Sequence, residues 1–325
     1  MKVLVVNERL RDRLRDYLPD DIELISPERG DDEDLKELAK SVEVILATRL
    51  SSEVAEAADN LKLLQKTGAG VDDMPFDSLG KNVWMANTSG SNPYPLAEGA
   101  VSLMLALAKK IVQRNKLFIN GRTGERGTLL KGKSVGIIGF GSIGREIAKI
   151  LRAFDMKIYG IKRQPDEKLA EKMGLEFLGT EEDLHYLFNN TDFNIITLPL
   201  TKDTRGMIGE TEIEAMKDSS YIINVARAAI IQEEPLYKAL KEGKIAGAAL
   251  DVWWTPHWWD PLWNPGGKSP AEHPFWELPN VICIPHEIGF TDTRSDAGIK
   301  IIVENILRVK ENITPINLVD KELQY

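Results

Sequence analysis

The sequence predicts an α/β protein built from two doubly wound parallel-sheet domains. Two stretches of the chain alternate short apolar runs with polar, helix-compatible segments, the pattern of a parallel sheet covered by helices. A glycine-rich loop stands where the second stretch begins. The length of 325 residues exceeds one comfortable hydrophobic core, and 43% hydrophobic residues supply apolar surface for two.

In chain order, the runs Val3 to Val6, Val44 to Ala47 and Leu63 to Gln65 read as strands of a first domain. Asp32 to Lys40 reads as one of its helices. Asn92-Pro93-Tyr94-Pro95 then breaks the chain, and Leu96 to Leu117, rich in Ala, Leu and Met, is expected to form one long, largely buried helix. A second alternation follows from Ser134, with strands expected at Val135 to Gly139, Lys157 to Ile161, Asn194 to Leu198, Tyr221 to Val225 and Ala246 to Asp251. The last helix, Ile299 to Glu311, carries Ile301, Ile302, Ile306 and Val309 near helical spacing and is expected to return to the first domain.

Fifty acidic against 41 basic residues give a net charge of −9, a field that repels phosphate backbones and anionic lipid. Nucleic-acid and membrane partners are therefore not expected. Cys283 has no second cysteine to pair with, and no apolar run approaches membrane-spanning length. The expectation is a cytoplasmic protein. No metal-ligand spacing is evident.

The run SVGIIGF leads directly into Gly139-Phe140-Gly141-Ser142-Ile143-Gly144, and Arg145 to Leu151 continues as a helix. A GxGxxG loop between strand and helix aims backbone amides and the positive helix end at one point, where a pyrophosphate fits. That is the signature of a Rossmann dinucleotide-binding domain. Gly139, Gly141, Ser142 and Ile143 are its candidate binding residues; Gly139 would allow the tight turn, Gly141 the approach of the pyrophosphate and Gly144 the contact of helix with strand. An acidic residue about 20 positions on would select NAD(H) through its ribose hydroxyl. Here the next strand ends at Lys162-Arg163 instead, and two cations can pair with a 2'-phosphate. NADP(H) is the expected preference, with NAD(H) possible; the plainer alternative is a solvated cation pair at a strand end.

These residues resemble the D-isomer-specific 2-hydroxyacid dehydrogenase family, which includes glycerate, phosphoglycerate, hydroxypyruvate/glyoxylate and formate enzymes. The resemblance runs in the family's order through Gly68-Ala69-Gly70-Val71-Asp72, LKGKSVGIIGFGSIGREIA, Leu198-Pro199-Leu200-Thr201, INVARAAI, GAALDVW and Ile284-Pro285-His286. It implies a flavodoxin-like substrate domain formed by 1–92 and 290–325, with a Rossmann nucleotide domain, 93–289, inserted into it. It also implies an active site in the cleft between them and a homodimer built on the long helix. The implied reaction is reduction of a 2-keto acid such as glyoxylate or hydroxypyruvate to the D-2-hydroxy acid. Arg227 matches the arginine that pairs with the substrate carboxylate, a role suited to a planar fork of donors. His286 matches the acid/base histidine, whose ordinary pKa serves proton transfer in both directions. Pro199, Ala226 and Asp251 match positions at the cofactor, and Ala69 and Gly70, after Gly68, match backbone that holds the substrate. Thr88, Ser89 and Asn92 fall where the family's hinge nears the cofactor. His185, His257 and His273 carry no motif, and a solvent-facing or core role is expected for them.

The chain departs from the family at the glutamate that orients the histidine. About five residues beyond Asp251 stands Pro256, and counting back from His286 reaches Gly267. The glutamate is unassigned, with Asp260, Glu272, Glu277 and Glu287 as neighbours in sequence. Without it the imidazolium loses a stabilising charge and a lower histidine pKa is expected. Formate dehydrogenases, which the chain also resembles, lack this glutamate too, but they carry a glutamine that is absent here. A competing reading is a nucleotide-sensing binding protein on the same scaffold. The insertion between Asp251 and His286 holds Trp253, Trp254, Trp258, Trp259, Trp263 and Trp276, six of the chain's seven tryptophans. They either roof the cleft and select an apolar substrate tail, or pack as a loop on their own domain or across a dimer.

Overall fold

The structure is a computed structural model; it describes residues 1–325 apart from 29–30, 125, 256–257, 259–263, 265 and 293–295. Pro256, His257, Trp259, Asp260 and Trp263 therefore lie outside the described residues. The chain divides into two compact units, Met1–Asn92 with Thr293–Tyr325, and Pro93–Asp292.

The first unit contains β1 (Lys2–Val5), α1 (Glu8–Arg15), β2 (Glu23–Ile25), α2 (Asp32–Ala39), β3 (Val44–Ala47), α3 (Ser52–Glu56), β4 (Leu63–Lys66) and β5 (Trp84–Ala86). Asn7, Asp31 and Ser51 start the three helices by accepting an amide three residues on, the preferred chemistry of an N-cap. The five strands are all parallel in the order β2-β1-β3-β4-β5, the flavodoxin-like winding. Alternation along the strands serves both faces: Leu4, Ile45 and Leu64 join one apolar cluster, and Val3, Val5, Val44 and Leu46 join the other. Because helices cover both faces, these strands read as continuous apolar runs.

The second unit opens with α4 (Pro93–Ala108) and α5 (Ile111–Ile119). The expectation of one helix from Leu96 to Leu117 is corrected here: Lys110 takes φ 52°, in the left-handed region, and breaks the run into two helices. The prolines do not precede the helix but occupy its first turn, where a missing amide hydrogen costs nothing. There follow β6 (Ser134–Ile138), α6 (Ser142–Arg152), β7 (Lys157–Ile161), α7 (Glu167–Met173), β8 (Phe177–Gly179), α8 (Leu184–Asn190), β9 (Phe193–Ile196), α9 (Glu210–Glu214), β10 (Tyr221–Asn224), α10 (Glu233–Glu242), β11 (Gly247–Leu250) and β12 (Val281–Cys283). Seven parallel strands are ordered β12-β11-β10-β9-β6-β7-β8, a Rossmann winding extended by one strand. On one face Val135, Ile137, Ile195 and Ile223 pack with α4 and α6; on the other Ile138, Ile196, Ile222 and Leu250 pack with α8 and α10.

The last helix, α11 (Ala297–Lys310), belongs to the first unit. Ile299, Ile302, Ile306 and Val309 pack with Val3, Val5 and Leu46, while Ile301 is only half-buried. Between them the buried Asn305 donates to Gln65 Oε1 at 2.7 Å and accepts the Ile316 amide at 2.7 Å, so a polar pair fixes the helix on β4. Among the described residues no helix is long and apolar enough to cross a membrane, and no His, Cys, Asp and Glu cluster could hold a metal.

Candidate active site

A parallel sheet puts every strand's carboxyl end, and the loop after it, on one edge. In a doubly wound sheet ligands bind at that edge, near the point where the winding reverses. In the second unit the reversal lies between β6 and β9. The loops there are Gly139 to Gly144 and Thr197 to Thr201, and they are in direct contact: Thr197 Oγ1 donates to Gly139 O at 2.7 Å.

The three glycines of the first loop do different work. Gly139 has φ 105°, and a Cβ on it would stand 2.7 Å from the Leu198 amide nitrogen. A side chain is excluded both by conformation and by space. On Gly144 a Cβ would meet Gly139 O at 2.8 Å and Ile137 Cγ2 at 2.9 Å, so this glycine lets α6 close on β6. Gly141 is exposed, and a Cβ there would meet nothing nearer than 4.0 Å. Gly141 is also the N-cap of α6 with no side chain to satisfy the first amides, which leaves donors and the positive helix end facing open space. This cradle fits a pyrophosphate, with Ser142 and Ile143, both half-buried, forming the first turn of the helix.

The remaining candidates follow along the same edge. Lys162, half-buried, and Arg163, exposed, come directly after β7, and the Lys162 amide donates to Gly179 O at 2.9 Å on neighbouring β8. Pro199 is exposed in the loop after β9. Ala226 and Arg227 follow β10, and their turn is set by Asn224. This fully buried side chain accepts the Ala226 amide at 3.0 Å and donates to Arg227 O at 3.0 Å. The Arg227 guanidinium donates through Nη1 to Ala226 O at 2.8 Å. Asn224 was not singled out from the sequence; the signal is its place as a polar end to an otherwise apolar strand, two residues before the arginine turn.

Asp251 follows β11 and His286 follows β12, adjacent strands joined by the Ile284 amide donating to Leu250 O at 2.8 Å. The Asp251 carboxylate is buried, and its Oδ1 accepts the amides of Glu287 at 2.9 Å and Ile288 at 3.2 Å. Burial pushes the Asp251 carboxyl up to about 6, against these amides, which hold it down. The turn it grips is unusual, since His286 adopts φ 62° although it is not glycine. A non-glycine residue in that region is strained and persists only when its surroundings over-determine it. The two amide bonds from the following residues to Asp251 supply that constraint.

Ala69 and Gly70 lie in the first unit, after β4. Asn87 Nδ2 donates to Ala69 O at 2.8 Å and the Thr88 amide to Gly68 O at 3.1 Å, so the segment after β5 braces this loop. The Ser89 amide in turn donates to Asn87 Oδ1, and Ser89 O accepts from Asn317.

Of the histidines outside any motif, His185 pairs with Glu212 at 3.2 Å and His273 stacks on Tyr237 at 4.6 Å, both outside the row described above. Glu272, Glu277 and Glu287 are exposed. The described part of the insertion packs on its own domain. Trp253 Nε1 donates to Ile284 O and Trp254 Nε1 to Ile231 O, each at 2.9 Å, and Trp254 stacks on the buried Phe275 at 5.1 Å.

The family model described as "D-isomer specific 2-hydroxyacid dehydrogenase, NAD binding domain" matches residues 101–287. The chain is similar to the D-3-phosphoglycerate dehydrogenase of Methanocaldococcus jannaschii, 34% identical over 85% of this chain and 51% of the relative. It is also similar to the glyoxylate reductase of Thermofilum pendens, 34% identical over 86% of this chain and 80% of the relative. The chain thus spans about half the length of the phosphoglycerate dehydrogenase and most of the glyoxylate reductase. Among solved structures, a D-isomer specific 2-hydroxyacid dehydrogenase from Xanthobacter autotrophicus shares the fold, with TM-score 0.82 at 23% identity over 100% of this chain and 99% of the other. The chain belongs to the D-isomer specific 2-hydroxyacid dehydrogenase family.

Proposed function

We propose that the protein is an NADPH-preferring reductase of 2-keto acids. The observation that carries this is the row of loops on one sheet edge, where Arg227 and His286 follow β10 and β12 while the pyrophosphate cradle follows β6. The reduced nucleotide, when bound, supplies a hydride to the keto carbon. Arg227 holds the substrate carboxylate and the reacting oxygen through its planar donors. The His286 imidazole holds the proton that passes to the keto oxygen, and takes it back in the reverse direction. Asp251 keeps the His286 turn in place, and the backbone at Ala69 and Gly70 holds the substrate carboxylate. The Met1–Asn92 and Thr293–Tyr325 unit serves as substrate domain, and Pro93–Asp292 as nucleotide domain.

Lys162 and Arg163 support the NADPH preference: both cations follow the strand next to the cradle, where an NAD site keeps a carboxylate. The proposal includes a cytoplasmic homodimer. It is supported by the exposed apolar side chains Ile111, Phe118 and Ile119 on α5 and Leu129 after it, which a partner copy would cover.

The test is steady-state oxidation of NADPH and of NADH with a panel of 2-keto acids, including glyoxylate and hydroxypyruvate. Turnover with a lower KM for NADPH is expected, and the double variant Lys162→Ala with Arg163→Ala should raise the KM for NADPH at least about tenfold, one ion-pair's worth, while sparing NADH. An NADH preference refutes the cofactor assignment. Nucleotide binding with no keto acid turned over refutes the reductase.

A further inference from the structure

The described part of the insertion between β11 and β12 is tied together by hydrogen bonds. Its neck is closed by the Thr255 amide donating to Pro270 O at 2.9 Å. Inside, the buried Asn264 side chain donates to the carbonyls of Trp258 and Lys268 and accepts the Lys268 amide, each at 2.9 Å. The described part of this insertion and the strand end beneath it line an open cavity of about 400 Å³. Among the described residues its walls are Trp253, Trp258, Trp276, Pro270, Cys283, Ile284 and Pro285.

Three properties of this cavity bear on its use. Its volume lies within the range of small-molecule sites, about 300–1,000 Å³. Among the described residues its walls carry no charged side chain, and burial pushes the Cys283 thiol up to about 11. It also holds aromatic surface that the fold leaves unused: Phe275 is fully buried and stacked, whereas its neighbour Trp276 remains 47% exposed. Trp253 and Trp254 are accounted for by their indole hydrogen bonds and by the core, but Trp276 is not.

The position of the cavity ties it to the candidate active site. Pro285 in its wall immediately precedes His286, and Trp253 comes two residues after Asp251, whose carboxylate grips the His286 turn. Trp253 is itself bonded to Ile284 O. The wall of the cavity and the acid/base histidine are thus carried by the same two strand ends.

We infer that this tryptophan-lined cavity receives the side chain of the substrate and makes the enzyme selective for 2-keto acids bearing an aryl or branched-alkyl group. The inference rests on the keto-acid reading above and narrows its substrate class. An uncharged aromatic wall favours a phenyl or isobutyl group and rejects a phosphate or a second carboxylate, which would lose hydration without finding a partner.

The test compares kcat/KM with NADPH for 3-phenylpyruvate, 4-methyl-2-oxopentanoate and glyoxylate. The two bulky substrates are expected to exceed glyoxylate at least about tenfold. Trp276→Ala, at a half-exposed position that leaves the fold intact, should lower the value for phenylpyruvate about tenfold, the scale of one aromatic contact, and leave glyoxylate within about twofold. Glyoxylate preferred by the wild type, or both substrates equally affected by Trp276→Ala, overturns the inference while the keto-acid reading stands. Calorimetric titration of the NADP⁺-bound protein with 3-phenyllactate and with lactate decides the cavity's role independently of turnover. Phenyllactate bound about tenfold tighter by the wild type, but not by Trp276→Ala, supports it even if no keto acid is reduced, and equal affinities overturn it.

Discussion

Replacing Asp251 by Asn removes a buried charge but keeps an oxygen that can accept the Glu287 and Ile288 amides. The wild-type carboxyl titrates at about 6 in the fold against 3.8 ordinarily, chiefly because it is buried. At 1.36 kcal/mol per pH unit, ionising it in the native protein costs about 3 kcal/mol. The sign follows from proton linkage. The folded pKa is raised, so the native state still holds a proton over a range where the unfolded chain has lost its own. The stability this group contributes is complete below about pH 4 and is lost as the pH rises through about 6. Asn has no such dependence. The difference in unfolding free energy between Asp251→Asn and wild type is therefore expected to be near zero at about pH 4 and to grow to as much as about 3 kcal/mol, in favour of the variant, by about pH 8. Urea unfolding across that range, followed by tryptophan emission, measures it, and six of the seven tryptophans lie in the same unit as Asp251. The variant's activity should fall as its stability rises, because a neutral amide oxygen accepts the Glu287 and Ile288 amides more weakly than a carboxylate and holds the strained His286 turn less firmly. A difference that does not change with pH, or a variant less stable than wild type at about pH 8, refutes this reasoning.

Gly144→Ala places a methyl 2.8 Å from Gly139 O and should destabilise the second unit by about 1–3 kcal/mol, seen as an earlier urea midpoint. Gly141→Ala meets no atom nearer than 4.0 Å and should keep wild-type stability yet weaken NADPH binding in a fluorescence titration; equal binding would remove Gly141 from the cradle. Asn224→Ala leaves the Ala226 amide and Arg227 O without their buried partner and should cost about 1–3 kcal/mol. It should also raise the KM for the keto acid as the arginine turn loosens, whereas an unchanged KM would separate Asn224 from substrate binding.

The eight inner strands of the two sheets were all legible in the sequence, and the four missed strands were β2, β5, β8 and β12. These four are the edges of the two sheets. Each has only three residues, and Glu23 and Trp84 show why the apolar signal weakens there: an edge strand has one strand neighbour and less need of burial. The helix boundary at Lys110 was missed for a different reason. A single left-handed residue is a tertiary choice that hydrophobic composition does not encode. The glycine loop was legible from its place between a strand and a helix, whereas Arg227, Asp251 and His286 were proposed from the family resemblance; a parallel sheet brings them to one edge because whatever follows a strand lands there. Asp251's grip on the His286 turn joins residues 36 positions apart in sequence and became visible only with the pairing of β11 and β12.

The row of loops also acts as a ruler. From β7, which leads to Lys162, to β12, which leads to His286, the sheet order counts five steps, β7-β6-β9-β10-β11-β12. At about 4.8 Å per step this is roughly 24 Å, well beyond the distance over which substitutions influence one another. Changes at Lys162 and Arg163 and changes at Trp276 should therefore combine additively. On the proposed assignments, coenzyme choice and substrate choice form two independent dials on one sheet, and either can be turned by selection or by design without resetting the other.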